Sequence, residues 1–154
     1  MRALIVAVLA ALAVIMSSAG PSPAMPADAA CERPSGVQRV VFSAAAYPNI
    51  RRHFRRAVHR RGWPMVLIVS RRMADERRER LMRDVPTREG FDRDEYPPAV
   101  GRGRGPGLER GRHPLGWRAD VRHVPSSENR SHGASLGAQL APFCDGVRFR
   151  YVFR

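Results

Sequence analysis

No lysine occurs in this chain of 154 residues; its 27 strongly basic side chains are all arginine. The bias fits a GC-rich genome rather than selection for guanidinium chemistry, and exchanging one cation for the other leaves the charge unaltered. Acidic residues are scarce too, at 14, so the formal net charge is +13. An excess of that size points to polyanionic partners: nucleic acid, anionic glycans or a membrane surface. No apolar run reaches the roughly 20 residues that a spanning helix requires, which argues against a permanent membrane anchor. No internal repeat is visible, and the length has room for one domain.

The longest apolar run, Ala3 to Met16, follows Met1 and Arg2 and precedes small residues and prolines through Ala30. A charged start, a short hydrophobic stretch and a permissive cleavage zone read as a secretory signal peptide over residues 1–30. Ser17-Ser18-Ala19 and Ala27-Asp28-Ala29 both offer small residues where a signal peptidase reads, so cleavage falls between 19 and 30. Asp28 stands where a lipid-attachment motif wants an aliphatic residue, which argues against lipidation of Cys31. The expected mature domain is 31–154, secreted and monomeric. Losing Arg2 and Asp28 leaves its charge unchanged.

Cysteine is nearly absent: Cys31 and Cys144 are the only two. In an exported chain an even pair suggests a disulfide, and closing so long a loop stabilises by roughly 4–5 kcal/mol in the chain-entropy model.

The apolar pattern gives a small α+β domain: a mixed or antiparallel sheet with two to three packed helices. Gln38 to Ala44 reads as a strand. A helix opens at Tyr47-Pro48, carries Ile50, Phe54, Ala57 and Val58 inward, and stops at Gly62. Met65 to Val69, continuously apolar, fits a buried central strand. Met73 to Arg83 reads as a charged, solvated helix, and Asp84 to Pro98 as an ordered loop. Residues 100–115, rich in Gly, Arg and Pro, read as a flexible loop. Trp117 to Val124 alternates as a strand, and a helix then runs from Pro125-Ser126 to about Leu140. Gly133 and Gly137 leave that helix a bare face suited to close packing against a strand. Val147 to Phe153 alternates as a last strand.

Two acidic clusters stand out against the basic background: Phe91-Asp92-Arg93-Asp94-Glu95-Tyr96-Pro97-Pro98 and Val124-Pro125-Ser126-Ser127-Glu128-Asn129-Arg130-Ser131-His132-Gly133. Carboxylates facing a polyanion repel it unless a divalent cation lies between, and Mg²⁺ or Mn²⁺ prefers oxygen ligands. Glu128, in a first helical turn, is held ionised by the helix dipole, with the Asn129 amide beside it. His132 follows one turn later on the same face. Taken singly, each cluster is an ordinary capping arrangement or polar loop.

Together and in this order, they resemble the NucA/NucB family of bacterial deoxyribonucleases, whose hallmark is an Asp-Glu-Tyr/Trp-Pro loop, a strand, and a Glu/Asp-Asn helix start. The similarity extends from about Val40, through Ala74-Asp75 and Val85-Pro86-Thr87, to Asp145-Gly146-Val147-Arg148. It implies a compact α+β fold, distantly like the ββα-metal nucleases, and a metal-dependent endonuclease without sequence preference. Carried onto matching positions, it implies a catalytic set of Asp94, Glu95, Glu128 and Asn129, with His132 in support. The long Arg-rich stretch between the motifs departs from the family's short Gly-Gly segment.

The chemistry expected from this is a hydrated Mg²⁺ or Mn²⁺ on Glu128 and Asn129, with Asp94, then Glu95, as base. Arg93, Arg122 and Arg130 would neutralise phosphate charge, and the remaining arginines would hold DNA by its backbone. The alternative is a secreted basic nucleic-acid-binding protein without catalysis; a membrane-active peptide fits poorly beside a real core.

Overall fold

The computed structural model describes residues 31–103 and 116–154. The expected signal peptide and most of the Gly/Arg stretch lie outside the described residues. The described chain forms one small α+β unit with three α-helices, a mixed three-stranded sheet and a two-stranded antiparallel ribbon.

The sheet is ordered β1–β5–β2. Strand β1 (Val37–Phe42) runs parallel to β5 (Arg148–Phe153), and β2 (Leu67–Ile68) runs antiparallel on the other side of β5. Both long strands are half-buried: Val40, Phe42, Phe149 and Tyr151 face the core while Arg39, Arg148 and Arg150 face solvent. This is the period-two alternation of a sheet with one wet face.

The central strand is therefore β5 rather than the apolar run at 65–69. That run is buried for a different reason. Residues 99–103 lie along its outer edge, with Ser70 N–H donating to Val100 O, Gly103 N–H to Ile68 O, and Ile68 bridged to Arg102. Continuous apolarity signals two covered faces, which an edge strand acquires when a loop covers it.

Helix α1 (Pro48–Arg61) buries Ile50, His53, Phe54 and Ala57 and ends at Gly62, whose φ of 68° requires a residue without a Cβ penalty. Helix α2 (Ala74–Met82) is not a solvated helix throughout. Arg77 is completely buried, its guanidinium donating to the carbonyls of Ala99 (2.8 Å), Arg72 (2.8 Å) and Ser70. Burial lowers its pKa, and carbonyl acceptors replace the water it has lost.

Cys31 and Cys144 are joined, with Cα atoms 5.0 Å apart, as the pair predicted. The link fastens the start of the domain to the turn after α3 (Ser126–Leu140), where Glu32 also bonds with Pro142 and Cys144 through backbone groups.

Candidate active site

The first acidic cluster is a strand. β3 (Phe91–Tyr96) pairs antiparallel with β4 (Asp120–Pro125), placing Asp94 opposite Arg122 and Tyr96 opposite Asp120. The loop expected over Asp84–Pro98 gives way here because β4 supplies ladder bonds. With charge at four consecutive positions, no hydrophobic alternation was there to reveal it.

Strand geometry sends neighbours to opposite faces, so Asp94 and Glu95 take different partners although both line one cleft. Asp92 and Asp94 face α3 and α1. Arg93 and Glu95 face α2 and the short helical turn at Ala99–Gly101. Glu95 is bonded at both oxygens, by Ala99 N–H (3.0 Å) and by the buried guanidinium of Arg102 (2.6 Å). Desolvation raises its pKa, opposed mainly by Arg102. Arg93, expected on a phosphate, donates instead to the carbonyls of Met82 and Val85, both at 2.8 Å, and ties α2 to β3.

Asp94 is held differently. Its Oδ2 lies 2.5 Å from Nδ1 of His53, and the other nitrogen of that ring, Nε2, lies 3.2 Å from Oδ2 of Asp120. The three side chains form a line from β4 through α1 to β3, with His53 only 4 % exposed. Oδ1 of Asp94 accepts no bond among the described residues. His53 and Asp120 were not singled out from the sequence. The available signal was a histidine on the apolar stripe of an amphipathic helix, between Ile50 and Phe54.

The second cluster meets the first. Ser126 does not cap its own helix; its hydroxyl donates to Asp92 (2.8 Å), and Arg130 Nε also bonds Asp92 (3.0 Å). These bonds, Arg130 first, lower the Asp92 pKa. Glu128 turns toward α1: Oε1 accepts from Asn49 N–H (2.7 Å) and Ile50 N–H (2.9 Å), and Oε2 from the Asn49 amide (2.7 Å). Its carboxylate thus occupies the positive end of α1, satisfying donors that α1 cannot satisfy itself.

Asp92, Arg93, Asp94 and Glu95, with Asn129, Arg130, His132 and Arg78, line an open cleft of about 420 Å³ between β3, α2 and α3. His132 is buried and its Nε2 has no partner among the described residues. Burial lowers its pKa, opposed by the charges of Asp94 and Glu128, so both acidic segments act on this one ring. Gly133 and Gly137 also line the cleft. A Cβ at either would meet nothing within 4 Å, so the bare face of α3 is open and does not pack on a strand as expected. Arg122 stands across from Asp94; its Nε has no hydrogen-bond partner among the described residues and pairs by charge with Asp120 at 4.0 Å.

No family model matches the chain. It is 29% identical over 117 residues to the DNA-entry nuclease of Bacillus subtilis (strain 168), a match covering 76% of this chain and 71% of that protein. The resemblance to the NucA/NucB-type nucleases holds.

A NucA/NucB-like chain implies a divalent ion, and the donor set constrains how one could bind. Among the described residues no group of three or more His, Cys, Asp or Glu side chains is arranged to hold a metal. Of the pair read as ligands, Asn129 lines the cleft, whereas both oxygens of Glu128 are engaged by α1. Asp94 Oδ1 and the Asn129 amide oxygen remain, two hard donors. That suits an ion retaining most of its water, as Mg²⁺ does.

Proposed function

We propose that this protein is a secreted, divalent-metal-dependent endodeoxyribonuclease that cuts without sequence preference. The observation that carries the reading is Asp94, one oxygen fixed by His53 and the other free, in a cleft with Asn129 and Arg130. The similar Bacillus protein's name, DNA-entry nuclease, agrees with it. So does a net charge of +13, which draws a polyanion without reading its bases. The disulfide accords with an oxidising, extracellular setting. No helix among the described residues is long and apolar enough to cross a membrane.

Asn129 would hold the ion directly and Asp94 only through the ion's water shell; the ion would supply Lewis-acid polarisation of the scissile phosphate. Asp94 also orients the attacking water and accepts its proton through Oδ1. His53 touches only protein groups; braced by Asp120, it positions the Asp94 carboxylate. Arg122 and Arg130 offset charge building on the phosphate oxygens. Glu95 and Glu128 contribute by holding Arg102 and α1 in place.

The test is digestion of supercoiled plasmid by the purified protein in Mg²⁺ or Mn²⁺, with and without EDTA. Nicking and fragmentation that stop on chelation are expected. Cleavage indifferent to EDTA removes the metal; intact plasmid in every metal, with DNA retained on the protein, leaves a basic binding protein.

A further inference from the structure

Helix α1 carries a row of arginines on the side away from the core. Arg51, Arg52, Arg55, Arg56, His59 and Arg60 line one groove of about 800 Å³ along its outer face. Among the described residues none of these arginines has a carboxylate partner; the ion pairs with arginine lie elsewhere, at Arg71, Arg102, Arg122 and Arg130. The only polar side-chain contact in the set is Arg52 with Asn49.

Of this set only His59 and Arg60, in the last turn, favour the helix through its dipole. Arg51 and Arg55, Arg52 and Arg56, and Arg56 and Arg60 are like-charge neighbours one turn apart, a destabilising spacing. Arg51 and Arg52 also lie near the positive end of the dipole, and α1 has no acid in its first turn. An unneutralised row of guanidinium groups is explained by a ligand that brings the negative charge.

The row is also registered to the catalytic cleft. Glu128 fastens the start of α1, and His53, on its inner face, touches Asp94. From Arg51 to Arg60 the helix rises about 13 Å, enough to meet about three phosphates along a duplex strand.

We propose that the outer face of α1 is an exosite for the sugar-phosphate backbone of duplex DNA, engaging the flank of the strand beyond the bond at Asp94. The assignment rests on the reading of DNA as substrate. The exosite supplies affinity and no base readout, so its signature is electrostatic.

The experiment is fluorescence anisotropy with a labelled random-sequence 20-bp duplex, in EDTA, at several NaCl concentrations. Wild type is compared with the triple variant Arg51→Gln, Arg55→Gln, Arg60→Gln. The control triple Arg39→Gln, Arg148→Gln, Arg150→Gln removes the same charge from the exposed sheet face. Circular dichroism confirms the helices. The α1 triple should bind about 10-fold or more weaker at 100 mM NaCl, its log K against log salt slope shallower by about 2 to 3. The control should stay within about 3-fold of wild type. Equal losses in both triples overturn the exosite in favour of bulk charge, and an unaffected α1 triple overturns it outright. Tight binding of heparin with none of duplex DNA also overturns it. Because binding in EDTA needs no turnover, a wild type that binds through α1 but never cuts overturns the catalytic reading alone.

Discussion

Glu128 of α3 closes the start of α1 by accepting from both the backbone and the side chain of Asn49, each at 2.7 Å. A carboxylate in this position replaces the cap that Tyr47 does not provide, since α1 has no side-chain cap of its own. Glu128→Ala should therefore destabilise the domain by about 1–2 kcal/mol, seen as a fall in Tm of roughly 5–10 °C. Glu128→Gln, which keeps an acceptor, should recover part of it. A Glu128→Ala protein with unchanged Tm and no cleavage would instead assign this side chain to the ion.

Asp94→Asn should lower kcat about 10²–10⁴-fold with the fold and DNA affinity preserved, measured by single-turnover cleavage beside duplex binding in EDTA. His53→Ala acts one bond further away, so a smaller loss of about 10–100-fold in kcat is expected, with KM little changed. A rise in KM alone would place His53 in binding.

The cleft is open along α3 because two residues there have no side chains. Gly133→Ala with Gly137→Ala meets no steric opposition from the protein. Each exchange should favour the helix by about 1 kcal/mol, so Tm rises. Methyl groups in the cleft should nevertheless slow plasmid cleavage. A more stable double variant with undiminished cleavage would show that DNA does not use this face.

His132 makes stability depend on acidity. Burial holds its pKa below the ordinary histidine value, so the folded state favours the neutral ring. Its contribution is complete above about pH 6.5 and declines as pH falls from there through the lower folded-state value. The facing groups Asp94 and Glu128 temper this, while Phe42, Tyr47 and Tyr151 enclose the ring. His132→Gln should flatten the loss of urea midpoint between pH 7.5 and 5; an unchanged pH profile removes the ring from the acid response.

The sequence was most legible where apolar spacing carried the message. β1, α1 with its stop at Gly62, α3 and β5 lie close to where alternation and helical periodicity put them, and the two cysteines pair. It was least legible where charge was put to structural use. Arg77 looked solvated because its carbonyl acceptors come from Ser70 and Ala99, distant in pattern though near in space. Glu95 was read as catalytic and Arg93 as phosphate-binding from the motif alone; a strand turns adjacent residues to opposite faces, so the bonds of Glu95 to Arg102 and of Arg93 to Met82 and Val85 were not visible there. The Asp94–Asn129 cleft was readable as two segments that meet. The Asp120–His53–Asp94 line was not, since it joins three elements that no local spacing connects.

The middle position of β5 makes the domain a late folder. Ribosomal synthesis delivers residues 148–153 after every other described element, and β1, made first, has no sheet neighbour until they arrive. Such first-to-last pairing means a high contact order and slow closure. Until residues 148–153 are delivered, the chain lacks the scaffold that holds α1, β3 and α3 together, so the cleft around Asp94 does not assemble before them.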